Sequence, residues 1–567
     1  MSINKNINKG LGPRLRDRNL GTLSVERAAW LVLAVVAVAI SLLLLLGDNS
    51  SAQVRSFSWE ERTLAAPDRA FILTFNRPVD RDSVEENLTV DPPLPGRFSW
   101  SGARMAYTID EPVHYGKTFS VQLDGAKTLP IGLSKDVQDF DPFRGTFAGR
   151  DEVLAYIGVD EEERDRLVLY NVTQQVKTLL TPPDLRVTDF LPFPDRDRIL
   201  FGASLAPDKT LVDGDEDIGA NISEQQLYTV TTGLGELPNG SANILEAGQR
   251  WFGKLFNQGP QAAGELTLVL DAEKYQNLKF DLAPNGHTIV VQRVDRERPD
   301  EFGLWVVVNG GMPEQVPTEQ GGEFLIAPDS QSLAMTQGEG LAILPLPDSS
   351  ASVSGRRSAF RRKIEPLDFL PKFGELLNFS PDGTAAALVK FNEDYTRSLY
   401  IARNNGQEVE LGNINGSIRS AEFSPNGQWL YCLLAEIVGD PGAENYQEQP
   451  YIAVFDLETE ESQPLLLLPN SQDIQIDLAP DGRSLLFSRP VVIRETDAAG
   501  NKDSEDGATE RSETGQDKRA SSESPLEDEA TVSQLWLLET LPSKDREWVP
   551  NDPEALPITG TQPRWLP

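Results

Sequence analysis

One phrase recurs along this chain and limits its fold more than any other feature. Aligned on a turn, the copies are TFAGRDEVLAYI (146–157), LPFPDRDRILFG (191–202), DLAPNGHTIVVQ (281–292), LIAPDSQSLAMT (325–336), NFSPDGTAAALV (378–389), EFSPNGQWLYCL (422–433) and DLAPDGRSLLFS (477–488). The turns lie about 44 residues apart, with one interval near double that. Proline fixes φ at the first central position, Asp or Asn tolerates the next, and Gly supplies the positive φ that closes the turn. Apolar runs on either side then read as two antiparallel strands.

A second element follows each phrase, apolar on entry and polar at its turn. Examples are LVLYNVTQQVKTLL (167–180), QLYTVTTGLGEL (226–237), LAILPLPDSS (341–350), SLYIARNNGQEVEL (398–411) and QLWLLETLPSKDREW (534–548). Four strands per repeat, each sheet burying its faces only against its neighbours, is the signature of a β-propeller. Seven inner and seven outer elements predict an all-β fold with seven blades over residues 146–567, six or eight being the alternatives. Arg564-Trp-Leu-Pro567 matches the start of a further inner strand. It predicts that the C-terminal strand pairs within the first blade and closes the ring. The repeats resemble TolB-like and WD-type propellers, a resemblance that implies a fold and leaves the activity open.

Ahead of the repeats, residues 28–47 (AAWLVLAVVAVAISLLLLLG) contain no charge. A helix of that length spans roughly 30 Å, the thickness of the hydrocarbon core. Residues 1–27 carry six basic and two acidic side chains, so the positive-inside rule predicts a cytoplasmic N-terminus, one transmembrane helix and the bulk of the chain outside the cytoplasm. Cleavage as a signal peptide before Gln53 is the rival reading.

Residues 56–125 read as short alternating strands with turn punctuation, a small β-sandwich. Ser83 and Glu86 fit a capping box for one helical turn. The stretch AFILTFNRPVDRDSVEENLTVDPPLPGRFSW (70–100), followed by YGKTFSVQL (115–123), resembles the SbsA-type bacterial Ig-like domain of envelope proteins. That resemblance implies a spacer or adhesive module.

The formal charge of −35 argues against nucleic acid or anionic lipid as a partner. One cysteine, Cys432, and two separated histidines, His114 and His287, leave no material for a disulfide framework or a His-centred catalytic or zinc site. There is no nucleophile elbow and no phosphate-binding loop. Trp305, Trp429, Trp536 and Cys432 fall on strands and read as core residues. Residues 494–531 hold twelve acids, five bases and no aromatic side chain, the composition of a disordered loop. GRRSAFRRK (355–363) is a basic island that reads as a solvated loop.

LVDGDEDIGANISEQ (211–225) sets Asp213, Asp215 and Asp217 at alternate positions with Glu224 beyond them. That spacing suits calcium, although Ile218 stands where a calcium loop has glycine; an acidic, solvated hairpin is the other reading. The chain as a whole reads as a membrane-anchored binding scaffold for an envelope protein or glycan, with no catalytic residue assigned. The alternative is a propeller-type glycan hydrolase or lyase using paired carboxylates. If the 213–224 loop is a calcium site, calorimetric titration with calcium releases heat and the melting temperature rises; absence of both removes the site.

Overall fold

The computed structural model describes residues 29–30, 32–38, 52–129, 140–206, 222–234, 262–346, 364–439, 447–471, 474–492, 531–540 and 552–567. Residues 29–30 and 32–38 are helical and exposed, Trp30 at 73 %. The rest of the apolar run 28–47 lies outside the described residues, and among these no helix is long and apolar enough to cross a membrane.

Alternation of inward and outward side chains builds the first body. In Ala70–Phe75 the side chains of Phe71, Leu73 and Phe75 turn inward, and in Thr118–Leu123 those of Phe119, Val121 and Leu123 do. Two four-stranded sheets result. One contains Val54–Phe57, Ala70–Phe75, Arg104–Ile109 and Gly96–Ser101; the other contains Arg62–Leu64, Phe143–Gly149, Thr118–Leu123 and Leu88–Asp91. They share one aromatic core, in which Phe57 meets Phe71 at 5.3 Å and Trp59 meets Phe147 at 5.0 Å between ring centroids.

Two expectations are corrected here. Ser83 does not cap a helix: the helix Arg81–Asn87 begins at Asp80, and the Ser83 hydroxyl accepts from Lys127 N instead. The sandwich also does not end at residue 125. Phe143–Gly149 pairs with Thr118–Leu123 and, in parallel, with Arg62–Leu64, because Phe147 is needed to fill the sandwich core. The segment read as the first propeller phrase is therefore split at Gly149. A Cβ there would come within 2.0 Å of the His114 carbonyl oxygen, so this exit from the sandwich requires glycine.

From Val153 onward the chain forms antiparallel meanders, a propeller-like array. Five are separate four-stranded sheets. A seven-stranded sheet joins the first meander to the last through one long strand, Glu554–Trp565. Its first half pairs with Thr531–Glu539, and its second half pairs with Val153–Gly158. Counted on both sides of that strand, the described residues form seven four-stranded blades. Six corner phrases suffice for them, because the inner strand of blade one arrives from residues 560–565 and needs no corner of its own. The doubled interval is a single blade, Leu185–Leu270, with long connections. The outer elements begun at residues 226, 341 and 534 are not continuous hairpins: their fourth strands come later, at Leu266–Leu270, Asp368–Leu370 and Glu554 onward.

The corners behave as their sequence requires. In blades three, five, six and seven the glycine N–H donates to the carbonyl three residues back (Gly286, Gly383, Gly427 and Gly482; 2.7–2.8 Å), with φ between 68° and 75°. Neighbouring strands alternate in direction, so corners and third-to-fourth connections emerge on one face of the ring. Second-to-third connections emerge on the other. The sandwich sits on the corner face: Tyr115 N donates to Asp481 (3.1 Å), Arg69 to the Pro425 carbonyl (3.4 Å), and Arg483 pairs with Glu111 (3.4 Å). The opposite face carries connections rich in acids, including Asp160, Glu161 and Glu162 in one turn and Glu393 and Asp394 in another. The strands that flank the acidic insertion in sequence meet that same face at Val492 and Thr531; residues 493–530 lie outside the described residues, and Thr531 already belongs to a strand.

Deleting residues 561–567 removes the inner strand of blade one and uncovers Leu154 and Tyr156, both fully buried. Losing one such large core side chain costs about 3–5 kcal/mol, so the melting temperature is expected to fall by more than ten degrees. A melt indistinguishable from that of the intact protein would exclude closure by this strand.

Candidate functional site

The inner strands of the blades run side by side about one axis, so residues in the same register stand at the same height. The third position before the corner proline carries Asp281 in blade three, Asn378 in blade five, Glu422 in blade six and Asp477 in blade seven. Leu191 and Leu325 hold it in blades two and four. In blades two, three, five and six a β-bulge precedes this level, which bends the inner strand and re-aims its side chains toward the neighbouring blade.

Each polar residue of this belt reaches across a seam. Asp281 accepts from the backbone N of Ile326 in blade four (2.7 Å). Asn378 donates to the Ala421 carbonyl (3.1 Å) and to Glu422 (3.0 Å) in blade six. Asp477 accepts from the backbone N of Trp565 on the closing strand. Two more ties cross the seams on either side of blade two. Gln562 donates to the Thr188 carbonyl (2.9 Å), and Gln225 and Asn277 exchange hydrogen bonds between blades two and three (3.0 and 2.8 Å).

Arg564 lies among these carboxylates. It pairs with Asp189 at 3.3 Å and holds down the proton affinity of Asp281, Glu422 and Asp477. Its single charge does not offset their burial. Burial pushes Asp281 up to about 6 even though Ile326 and Leu282 both donate to it. Burial also raises Glu422 and Asp477, and the negative charge of Asp477 raises Glu422 further. A carboxyl that keeps its proton near neutrality can act as a general acid. Here its oxygens are also engaged as ties between blades.

The residues singled out from sequence do not assemble here. Asp213, Asp215 and Asp217 lie outside the described residues; Glu224 is exposed at the end of a short 3-10 turn. Among the described residues no group of three or more acids, histidines or cysteines could hold a metal. His114 is at the junction of sandwich and propeller, where burial, then Arg483 and Lys117, lower it to about 4. His287 is exposed on the corner of blade three. Trp429 and Cys432 are buried, while Trp305 is half-buried and packs on Tyr275 at 4.9 Å. The basic island 355–363 lies outside the described residues. A polar cleft of about 270 Å³ opens between blades five and six, lined by Arg403, Gln407, Glu458 and Glu460. It is remote from the belt.

Sequence reasoning missed the belt although its signal was present. The first letters of DLAPNG, NFSPDG, EFSPNG and DLAPDG are its four members. A polar residue at a fixed place in an otherwise apolar inner strand needs a partner, and the ring supplies one from the next blade.

No family model matches the chain, and no curated protein matches it. Solved structures similar to it include TolB from Acinetobacter baumannii, with 9 % identity, 85 % of this chain and 83 % of that chain covered, and a TM-score of 0.35. An oligogalacturonate lyase from Vibrio parahaemolyticus has 11 % identity, covering 57 % and 80 %, with a TM-score of 0.37. A putative 6-phosphogluconolactonase from Bacteroides uniformis has 12 % identity, covering 60 % and 89 %, with a TM-score of 0.34. They include TolB-like β-propeller proteins. Likeness at this level assigns no activity.

The raised proton affinity of Glu422 fixes the sign of a pH effect. The folded state holds its proton above the ordinary carboxylate range, so stability falls as pH rises from about 4.5 through the folded value. Glu422→Gln removes the buried charge and keeps an acceptor for Asn378. Its melting temperature, compared with that of the parent protein, is expected to differ little at pH 5 and to be several degrees higher at pH 8. A constant difference across that range contradicts the assignment.

Proposed function

We propose that the chain is a membrane-anchored binding or scaffold protein outside the cytoplasm, with the sandwich as an Ig-like spacer and the seven-bladed propeller as the binding body. The observation that carries this reading is the docking of the sandwich onto the corner face of the ring. It points to the opposite face, whose described connections are rich in acids, as the surface for a protein or envelope-glycan partner. The belt carboxylates support the same reading, because each is engaged in holding blades together. The apolar segment 28–47 and the basic residues before it serve as the uncleaved anchor. Calcium held by Asp213, Asp215, Asp217 and Glu224 would belong to the connection between the second and third strands of blade two.

A second reading has one specific observation in its favour. Glu422 and Asp477 are neighbouring carboxylates in an environment that retains a proton, the electrostatic requirement of acid-catalysed glycan cleavage. On this reading Glu422→Gln abolishes turnover of an envelope glycan; on the scaffold reading no turnover exists to lose.

The anchor is tested by fractionation. The full chain is expected to stay with membranes through alkaline carbonate, and protease added outside spheroplasts to degrade residues 48–567. A protein starting at residue 48 is expected in the soluble fraction. Release of the full chain by carbonate, or protection from external protease, would overturn the proposal.

A further inference from the structure

The seam between blades five and six opens, on the corner face, into the polar cleft of about 270 Å³. Its floor is aliphatic. Ile401 and Val409 stand opposite each other on the third and fourth strands of blade five, and Leu411 and Leu457 complete the surface. Ile401 is buried in the core that the two blades share, while Val409, Leu411 and Leu457 are half-buried. Two turns between third and fourth strands form the walls. Blade five contributes Arg403, Asn405 and Gln407, and blade six contributes Glu458 and Glu460.

The two walls carry opposite charge, and both are held in place. Arg403 donates from Nη2 across the seam to the Leu457 carbonyl (3.3 Å), which fixes its planar fork at the cleft. Its turn closes through Arg403 N to the Gln407 carbonyl (2.8 Å) and Gln407 N to the Asn405 side chain (2.9 Å). In the facing turn the Asp456 side chain accepts from Glu458 N and Thr459 N (2.8 and 3.2 Å), and Asp456 N donates to the Glu461 carbonyl (2.9 Å). The residue before each closing position has positive φ: Gly406 at 82° in blade five, Glu460 at 63° in blade six. Glycine suits that conformation, and a glutamate there is strained. Strain of this kind points to a need for the side chain, and Glu460 lines the cleft.

We propose that this cleft binds a small zwitterion, an α-amino acid with an aliphatic side chain. Its volume lies just below the range of about 300–1,000 Å³ usual for small-molecule sites, so a single amino acid suits it better than a polymer. The aliphatic side chain covers the floor and takes apolar surface out of water. The carboxylate of the ligand meets the Arg403 fork, and its ammonium group meets Glu460 on the other wall. Asn405 and Gln407 offer neutral hydrogen bonds beside the carboxylate. Among the described residues none that lines the cleft is aromatic, so a sugar finds no ring to stack on. The site is on the corner face and stands independently of the proposed partner surface.

The test is calorimetric titration of the full chain in detergent with L-leucine, with L-leucinamide, which lacks the carboxylate, and with isocaproate, which lacks the ammonium group. Leucine is expected to give saturable heat at millimolar concentration. Each analogue is expected to bind about tenfold more weakly, the loss of one charged contact. Arg403→Gln and Glu460→Gln are each expected to weaken leucine binding by about the same factor. Glu460→Gly removes the same carboxylate and relieves the strained turn. It is expected to lose leucine affinity while melting higher than the parent, which separates loss of the site from loss of the fold. No saturable heat with leucine, analogues that bind as well as leucine, or variants that keep the parent affinity would overturn the proposal.

Discussion

One strand, Glu554–Trp565, holds the larger body of this protein together. A row of sheets that bury their faces only against each other has two exposed ends, and a ring has none. Here the ends are joined by letting a single strand serve as the outer strand of blade seven and then the inner strand of blade one. The side chains of its second half make the joint more than a backbone ladder. Gln562 and Arg564 engage blade two, and the backbone of Trp565 is held by Asp477 of blade seven.

The polar belt follows from the same constraint. Inner strands crowd near the axis, where backbone groups at their edges have no further strand to pair with, and those groups need partners. Asp281, Asn378, Glu422 and Asp477 provide partners across the seams. The cost is electrostatic: three carboxyl groups share one region with a single central arginine, and their proton affinities rise accordingly. Burial and hydrogen bonding oppose each other at Asp281, and burial prevails.

Much of this architecture was legible because it rests on local chemistry. The Pro-Asp-Gly corners, alternating apolar positions and spacing near 44 residues each depend on a few neighbouring residues. They led to the antiparallel meanders and the closing role of the C-terminal strand. The reading failed where identical local patterns serve different bodies. Thr146–Gly149 looks like the start of an inner strand, yet it completes the sandwich, since pairing with Thr118–Leu123 is decided by Phe147 and the core it enters. Ser83 and Glu86 satisfied a capping pattern one turn too late, because helix entry at Asp80 is fixed by the preceding strand and its connection.

The sequence by itself determined the repeat, the corner conformation and the acidity of the second-to-third connections, because periodicity, φ preference and charge are properties of short segments. Only the tertiary structure decided which residues share a level and a seam. Asp281, Glu422 and Asp477 are far apart in sequence, and their environments arise from the curvature that brings the blades around one axis. Proton affinity depends on distance and burial. Those two quantities are set by the closed ring and the docked sandwich.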